Sequence, residues 1–386
     1  MLYIIILSIL LVPIASIITI KGTIVWFPQL LALQFVGGLF FASRFWKLNK
    51  FLAIFLAYLI FSYVYVTGAS PRTLLCLMIG YAAISVTLSI SKIKDLKYVY
   101  IALIGMSLLS CTYSILQAFG IDPIFVPITG GKEDVVSFMG SHNQLGAYSA
   151  ANAFWGVCLM PLAIIPIFLA KCNSALIGLI AGSMVYIWSI YGKKVISILI
   201  ICCFIALVPW WHFCHKSNQE ISERINLWKL SLQQVSHGTI EEHYLNGNKA
   251  LIKANPLFGF GLGNFFSYSP FSQYKMWDLS KQYKNEVPHY YEHAHNDLLE
   301  ALYEFGYIGF GIIIFLIISV CYNFFSNPKS HGVVITFSSL VAQSVSSMSI
   351  YIFHAPVSLF MFCLTLGLFY AEVTREKQSK IKPITT

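Results

Sequence analysis

The stretch "HYYEHAHNDLLEALYEFGYIGFG", His289 to Gly311, changes character within one short run. Its first part gathers three histidines, an asparagine and an aspartate, with glutamates among and after them. From about Tyr307 it turns into an apolar helix. The run therefore sits at the mouth of a bundle of membrane helices, where an ionisable group is costly to bury without a partner or a water-filled cavity. Such a concentration of polarity points to function.

A bundle is expected because of what surrounds the run. The chain has 386 residues, of which 57% are hydrophobic and 11% charged, whereas a soluble domain is roughly 25% charged. Apolar runs at Leu2–Ile20, Ile24–Ser43, Phe51–Thr67, Thr73–Ile90 and Tyr98–Phe119 approach the roughly 17–25 residues needed to span a bilayer. The expected fold is all-α, a polytopic transmembrane helical bundle. The start "MLYIIILSIL" has neither a basic leader nor a small-residue cleavage site, which makes it a retained first helix. The nine cysteines are odd in number and mostly lie inside apolar runs. They read as small core residues, not as a disulfide or zinc framework.

A net charge of +9 would suggest nucleic acid in a soluble protein. Here its distribution matters more, since basic residues orient membrane helices, and no nucleic-acid partner is expected. The clusters are Arg44, Lys47 and Lys50; Lys92, Lys94 and Lys97; Lys193 and Lys194; and Arg375, Lys377, Lys380 and Lys382. Placing all four in the cytoplasm puts the connections at Lys21, at Arg72 and over residues 120–142 outside. Parity then requires a hidden crossing between His142 and Lys193. Leu145–Lys171, interrupted by Gly156, Pro161 and Pro166, is expected to supply it as a short hairpin. The result is about twelve transmembrane helices in one integral membrane domain, residues 1–386. Residues 212–305 are expected to form a large extracytoplasmic loop insertion containing short helices, and 374–386 a cytoplasmic basic tail.

Within the loop, "ISERINLWKLSLQQV" sets Ile221, Ile225, Trp228, Leu232 and Val235 on one face of a helix that can lie on the membrane surface, with Arg224 beside that face. The alternating Gly259, Gly261 and Gly263 of "NPLFGFGLGNFF" permit sharp turns or close backbone approach. They do not match the dinucleotide fingerprint, and no buried strand precedes them. The aromatics that follow, Phe265, Phe266, Tyr268, Phe271, Tyr274 and Trp277, suit an interfacial belt or stacking on sugar faces.

Three readings of the histidines compete. His289, His293 and His295 could ligate a metal, but Leu298 follows "HAHND" where a further ligand would be needed. They could merely cap and hydrate the end of a helix. Or a neutral imidazole serves as general base, its tautomer fixed by Asn296, Asp297 or Glu292.

The residues also resemble a known family. "HAHNDLLEALYEFGYIGFG" is similar to the His-Asn…Leu…Glu-x-Gly signature of the O-antigen ligase and O-antigen polymerase superfamily. Three further places agree in order: "FMGSHNQLGAYSA" with its Gly-x-x-Asn segment, "RINLW" with its Arg-x-x-Leu-Trp, and "PLFGFGLGNF" with its Pro-Leu-x-Gly-x-Gly. The motifs cover roughly residues 138–311. One departure stands out: members often carry Ser-Arg after the Asn segment, whereas Ser174 here precedes Ala175, with Lys171 the nearest replacement cation.

The resemblance implies a membrane glycosyltransferase that moves a glycan from a polyprenyl (undecaprenyl) diphosphate carrier to an acceptor hydroxyl. It implies a multi-pass protein of the bacterial inner membrane with its active site facing the periplasm. The acceptor is lipid A core, another glycan or a protein, so ligase, polymerase and protein O-oligosaccharyltransferase all remain open. His295 is then the first candidate base and His293 the second. Arg224 and Arg72 are the candidate cations for the diphosphate, since guanidinium offers bidentate donors. Asn296, Asn143 and Gly261 complete the substrate-binding set. Metal and cofactor are expected to be none, and the other partners to be membrane lipids. A transporter of lipid-linked substrates is the alternative from another class, although its polar features would concentrate near the midplane of both halves. A membrane metallo-hydrolase is the third.

Overall fold

The computed structural model describes residues 90, 93, 95–122, 135–139, 141–155, 159–192, 218–237, 239–243, 249–253, 255–261, 263–265, 293–327, 330–351 and 355–381, with residues 3, 6, 9 and 10. The apolar runs before residue 90 lie outside them apart from isolated positions. So do Arg72, His289, most of the basic clusters and the aromatics from Phe266 to Trp277.

In chain order the elements are α1 (Lys97–Ala118), a 3-10 turn (Ser137–Met139), α2 (His142–Asn152), α3 (Leu159–Leu169), α4 (Asn173–Tyr191), α5 (Asn218–His237), β1 (Thr239–His243), β2 (Lys249–Lys253), α6 (Asp297–Ser326), α7 (His331–Ser346) and α8 (Pro356–Ile381). Helix dominates because a backbone in hydrocarbon can only bond to itself. Among the described residues, four helical stretches are long and apolar enough to cross a membrane: α1, α4, α6 and Val357–Ser379 within α8. The chain is a multi-pass membrane protein. It forms two compact units, one of Met1–Asn49, Ile79–Pro209 and Val320–Thr386, the other of Lys50–Met78 and Trp210–Ser319.

In the first unit, α4 and α7 pack through small residues. A Cβ on Gly182 would lie 2.6 Å from the Ser338 carbonyl oxygen, and one on Gly178 would meet Ala342 and Ser346. Small side chains let the two backbones approach, which is how helices associate where lipid removes the hydrophobic drive. Elsewhere on α7, Phe337 stacks on Phe324 with ring centroids 3.8 Å apart and approaches Phe369 of α8.

The segment expected to hide a crossing is two helices, α2 and α3, each about 17 Å long at 1.5 Å per residue. Neither alone matches the roughly 30 Å hydrocarbon core. The break falls between Asn152 and Leu159. Pro161 sits in the first turn of α3, where its missing donor costs nothing. Pro166 lies inside α3 and leaves the Leu162 carbonyl without its helical donor, and the Cys111 thiol of α1 donates to that oxygen at 3.3 Å.

The second unit contains a hairpin that the sequence reading did not anticipate: β1 and β2 pair antiparallel, from Thr239 opposite Lys253 to His243 opposite Lys249. Its core joins Leu227 and Val235 of α5 to Phe260, Phe265, Ala294, Leu302 and Tyr303. Phe260 stacks on Tyr303 with centroids 4.6 Å apart, and Phe265 meets the same ring edge-on. The expected apolar stripe of α5 is split. Val235 is buried, but Ile225 and Leu232 are exposed, and the face turned inward is Leu227, Ser231, Gln234 and Val235. A helix can bury a small or hydrogen-bonded polar side chain in its tight contact and leave part of its aliphatic stripe outside: the Ser231 hydroxyl donates to the Leu227 carbonyl at 2.8 Å.

Helix α6 is broken at Gly306, whose φ of 64° and ψ of −168° are not helical. The break frees carbonyls before it and amides after it. The Pro-Leu-x-Gly-x-Gly loop takes up both sets. Phe260 and Gly261 donate to the carbonyls of Tyr303 and Glu304 at 3.0 and 2.8 Å, and Tyr307 and Ile308 donate to those of Pro256 and Leu257, each at 3.0 Å. Two motifs far apart in sequence are thus one backbone structure.

Candidate functional site

The polar run comes together at the N-terminus of α6. Asn296 caps the helix: its Oδ1 accepts from the amides of Leu298 and Leu299, each at 3.1 Å. The next turn of the helix brings Glu300 back over the chain that precedes the cap. Its Oε1 is 2.9 Å from His293 Nδ1 and its Oε2 accepts from the Ala294 amide at 3.0 Å, while the carboxylate is only 1% exposed. From α5, the Trp228 indole Nε1 donates to the Ala294 carbonyl at 2.8 Å. One turn beyond Glu300, the buried Glu304 accepts from the Phe265 amide at 3.2 Å.

Between this held turn and the cap stands His295, at a φ of 51°, a left-handed conformation uncommon for a residue with a side chain. Its imidazole is half-buried. Burial first, then the charges of Arg224 and His293, push its pKa down to about 4 against the opposing pull of Glu300. The ring is therefore neutral at neutral pH, and an uncharged imidazole with a guanidinium nearby can accept a proton while an anion binds beside it.

The structure brings His293, His295, Asn296 and Arg224 into one neighbourhood of the second unit. Gly261 belongs to the same unit, at a φ of 94°, with its amide held by Glu304. Asn143 is in the first unit, on α2, where its carbonyl and Oδ1 lie 3.8 and 3.6 Å from the Cys172 thiol. Lys171, the suggested substitute cation, is exposed in the turn before α4, and Ser174 accepts at 2.7 Å from the Ser349 hydroxyl. Arg72 and His289 lie outside the described residues, and among the described residues no three His, Cys, Asp or Glu side chains form a metal-binding group.

Two participants escaped the sequence reading. The neighbours named there for the histidines were Asn296, Asp297 and Glu292; Glu300, not named there, bonds His293, and the Asn296 side chain caps the helix. A signal existed in the spacing. Asp297, Glu300 and Glu304 fall on one side of a helix, three buried acids in a chain with only 16 Asp and Glu in all. Trp228 was marked only as a stripe residue and as the end of the Arg-x-x-Leu-Trp motif, and neither says what its N–H will meet.

The fold and the site define a membrane protein with a histidine, arginine and carboxylate cluster at the head of a kinked helix. Over residues 158–314 the chain matches the family model described as O-Antigen ligase, so its resemblance to the O-antigen ligase superfamily is shown across that span. Three of the four motifs fall inside the match, and the "FMGSHN" segment precedes it. Members of that family are glycosyltransferase or ligase-type enzymes. No curated protein matches the chain.

Proposed function

We propose that this protein transfers a glycan from a polyprenyl diphosphate carrier to an acceptor hydroxyl, on the periplasmic side of a bacterial inner membrane. The observation that supports this most is the neutral His295 with Arg224 close enough to depress its pKa. A base and a fixed cation are the two groups that displacement of a lipid diphosphate requires.

In this reading Arg224 takes the diphosphate, with Arg72 as the second cation, and Asn143, Asn296 and Gly261 belong to the substrate-binding segments. The acceptor oxygen attacks the anomeric carbon as the bond from that carbon to the diphosphate oxygen breaks. The diphosphate leaves with the bonding electrons, and the hydroxyl proton passes to the imidazole of His295. A bound diphosphate also offsets the charge of Arg224, so His295 becomes a stronger base when donor is present. His293, held by Glu300, is the alternative base. The leaving group is already activated, so the reaction asks for no nucleotide and no metal.

The test is transfer by purified protein supplied with lipid-linked glycan. His295→Ala is expected to lower the rate roughly a hundred- to ten-thousand-fold while donor still binds. Full activity in that variant would remove His295 as base, and full activity in both His293→Ala and His295→Ala would return the run to a hydrated helix cap. Gel analysis of lipopolysaccharide from a deletion strain separates the acceptors. Loss of all long chains from the core indicates a ligase, and core bearing single repeats a polymerase.

A further inference from the structure

We infer that Trp228 and Glu300 are positioning residues that hold the His293–His295 turn from two sides and thereby set the aim of His295. The inference rests on the reading of His295 as base and adds two residues that neither the motif resemblance nor that reading assigns to the reaction.

Ala294 is fully buried and outside any helix or strand, yet both of its backbone groups are bonded to side chains. Glu300 of α6 accepts its N–H at 3.0 Å, and Trp228 of α5 donates to its carbonyl at 2.8 Å. The second oxygen of Glu300 holds His293, so one carboxylate secures two consecutive residues. On the other side His295 is followed directly by the helix cap, Asn296. A residue at a φ of 51° relaxes to negative φ unless its neighbours hold it. Such a relaxation would swing the imidazole out of the place where Arg224, His293 and Glu300 all act on it. These bonds therefore maintain the relation between the imidazole and the guanidinium.

The experiment uses the full-length protein in detergent, with polyprenyl diphosphate-linked glycan extracted from the cells that make it. Rates are measured against donor concentration over a pH series for Trp228→Phe, Glu300→Ala, Glu300→Gln and His295→Ala. Trp228→Phe and Glu300→Ala are expected to lower kcat at least tenfold with the donor KM unchanged within twofold. In Trp228→Phe the acid limb of kcat/KM, which reports the free enzyme, should move upward from about pH 4 toward the ordinary histidine range, because a released imidazole is better solvated and farther from Arg224; in Glu300→Ala the loss of a carboxylate that raises the pKa opposes that shift. Glu300→Gln keeps an oxygen for the Ala294 amide and should recover part of the rate.

Wild-type kcat and pH profile per folded molecule in Trp228→Phe, with His295→Ala inactive, would overturn the positioning roles and leave the base in place. Full activity in His295→Ala would overturn both. Should Glu300→Ala fail to insert, Trp228→Phe decides, since it retains an aromatic ring and loses only the donor.

Discussion

Gly259 and Gly306 touch backbone to backbone: a Cβ on Gly259 would lie 2.5 Å from the Gly306 amide nitrogen. Both residues have positive φ, 73° and 64°. Neither can carry a side chain without strain, and neither neighbour can yield, because the obstacle is main chain. The contact is what allows the Pro-Leu-x-Gly-x-Gly loop to take up the carbonyls and amides freed at the break in α6. Gly259→Ala and Gly306→Ala should each destabilise the protein by about 2–5 kcal/mol, combining a disfavoured φ with overpacking. Gly311→Ala, on the same helix with open space around it, is the control and should be close to neutral. Thermal unfolding of the purified protein in detergent checks the comparison, and equal melting temperatures for Gly306→Ala and Gly311→Ala would contradict it.

The depressed pKa of His295 predicts two effects of pH. Activity, followed as kcat/KM, should persist well below pH 6.5 and fall only near pH 4, where the free enzyme's imidazole takes its proton. Arg224 lowers the pKa, so Arg224→Gln should move that limb upward. The limb should stay below 6.5 because burial, the larger cause, remains. For stability the sign follows from proton uptake: between about pH 6.5 and 4 the unfolded chain binds the proton and the folded one does not. The contribution is thus complete above pH 6.5 and lost as pH falls toward 4. A melting temperature rising on acidification across that window would contradict the assignment.

Transfer activity should survive a strong chelator. The reason lies in the sequence of the polar run, where Leu298 follows "HAHND" in the place of a further ligand. The measurement is glycan transfer before and after chelation and dialysis. Loss of activity followed by recovery on adding zinc would favour a metal-dependent hydrolase instead.

Topology is open to direct labelling. Asp122, exposed just after α1, and Asn248, outside the described residues, belong to the two connections expected outside, while Lys377, exposed near the end of α8, belongs to the inner tail. Cysteines placed at Asp122 and Asn248 should react with an impermeant thiol reagent in intact cells, and one at Lys377 only after permeabilisation. Failure of both outer positions to label would overturn the arrangement.

Hydropathy by itself made this a multi-pass membrane protein, because a span needs only a local run of apolar residues: the run Tyr98–Phe119 is helix α1, Lys97–Ala118. Motif spacing also marked Arg224, His293, His295 and Asn296, which the structure gathers into one unit. Sequence could mark the glycines of two motifs as unusual, but not that Gly259 and Gly306 lie against each other. Nor could it say that Glu300 would bond His293, that Trp228 would reach the Ala294 carbonyl, or that Ile225 and Leu232 would face outward while Ser231 turned in. Periodicity and caps are properties of neighbours along the chain and can be read there. The partner of a buried donor depends on which elements pack together, and that is settled only when α5, the glycine loop and the broken helix α6 close around one core.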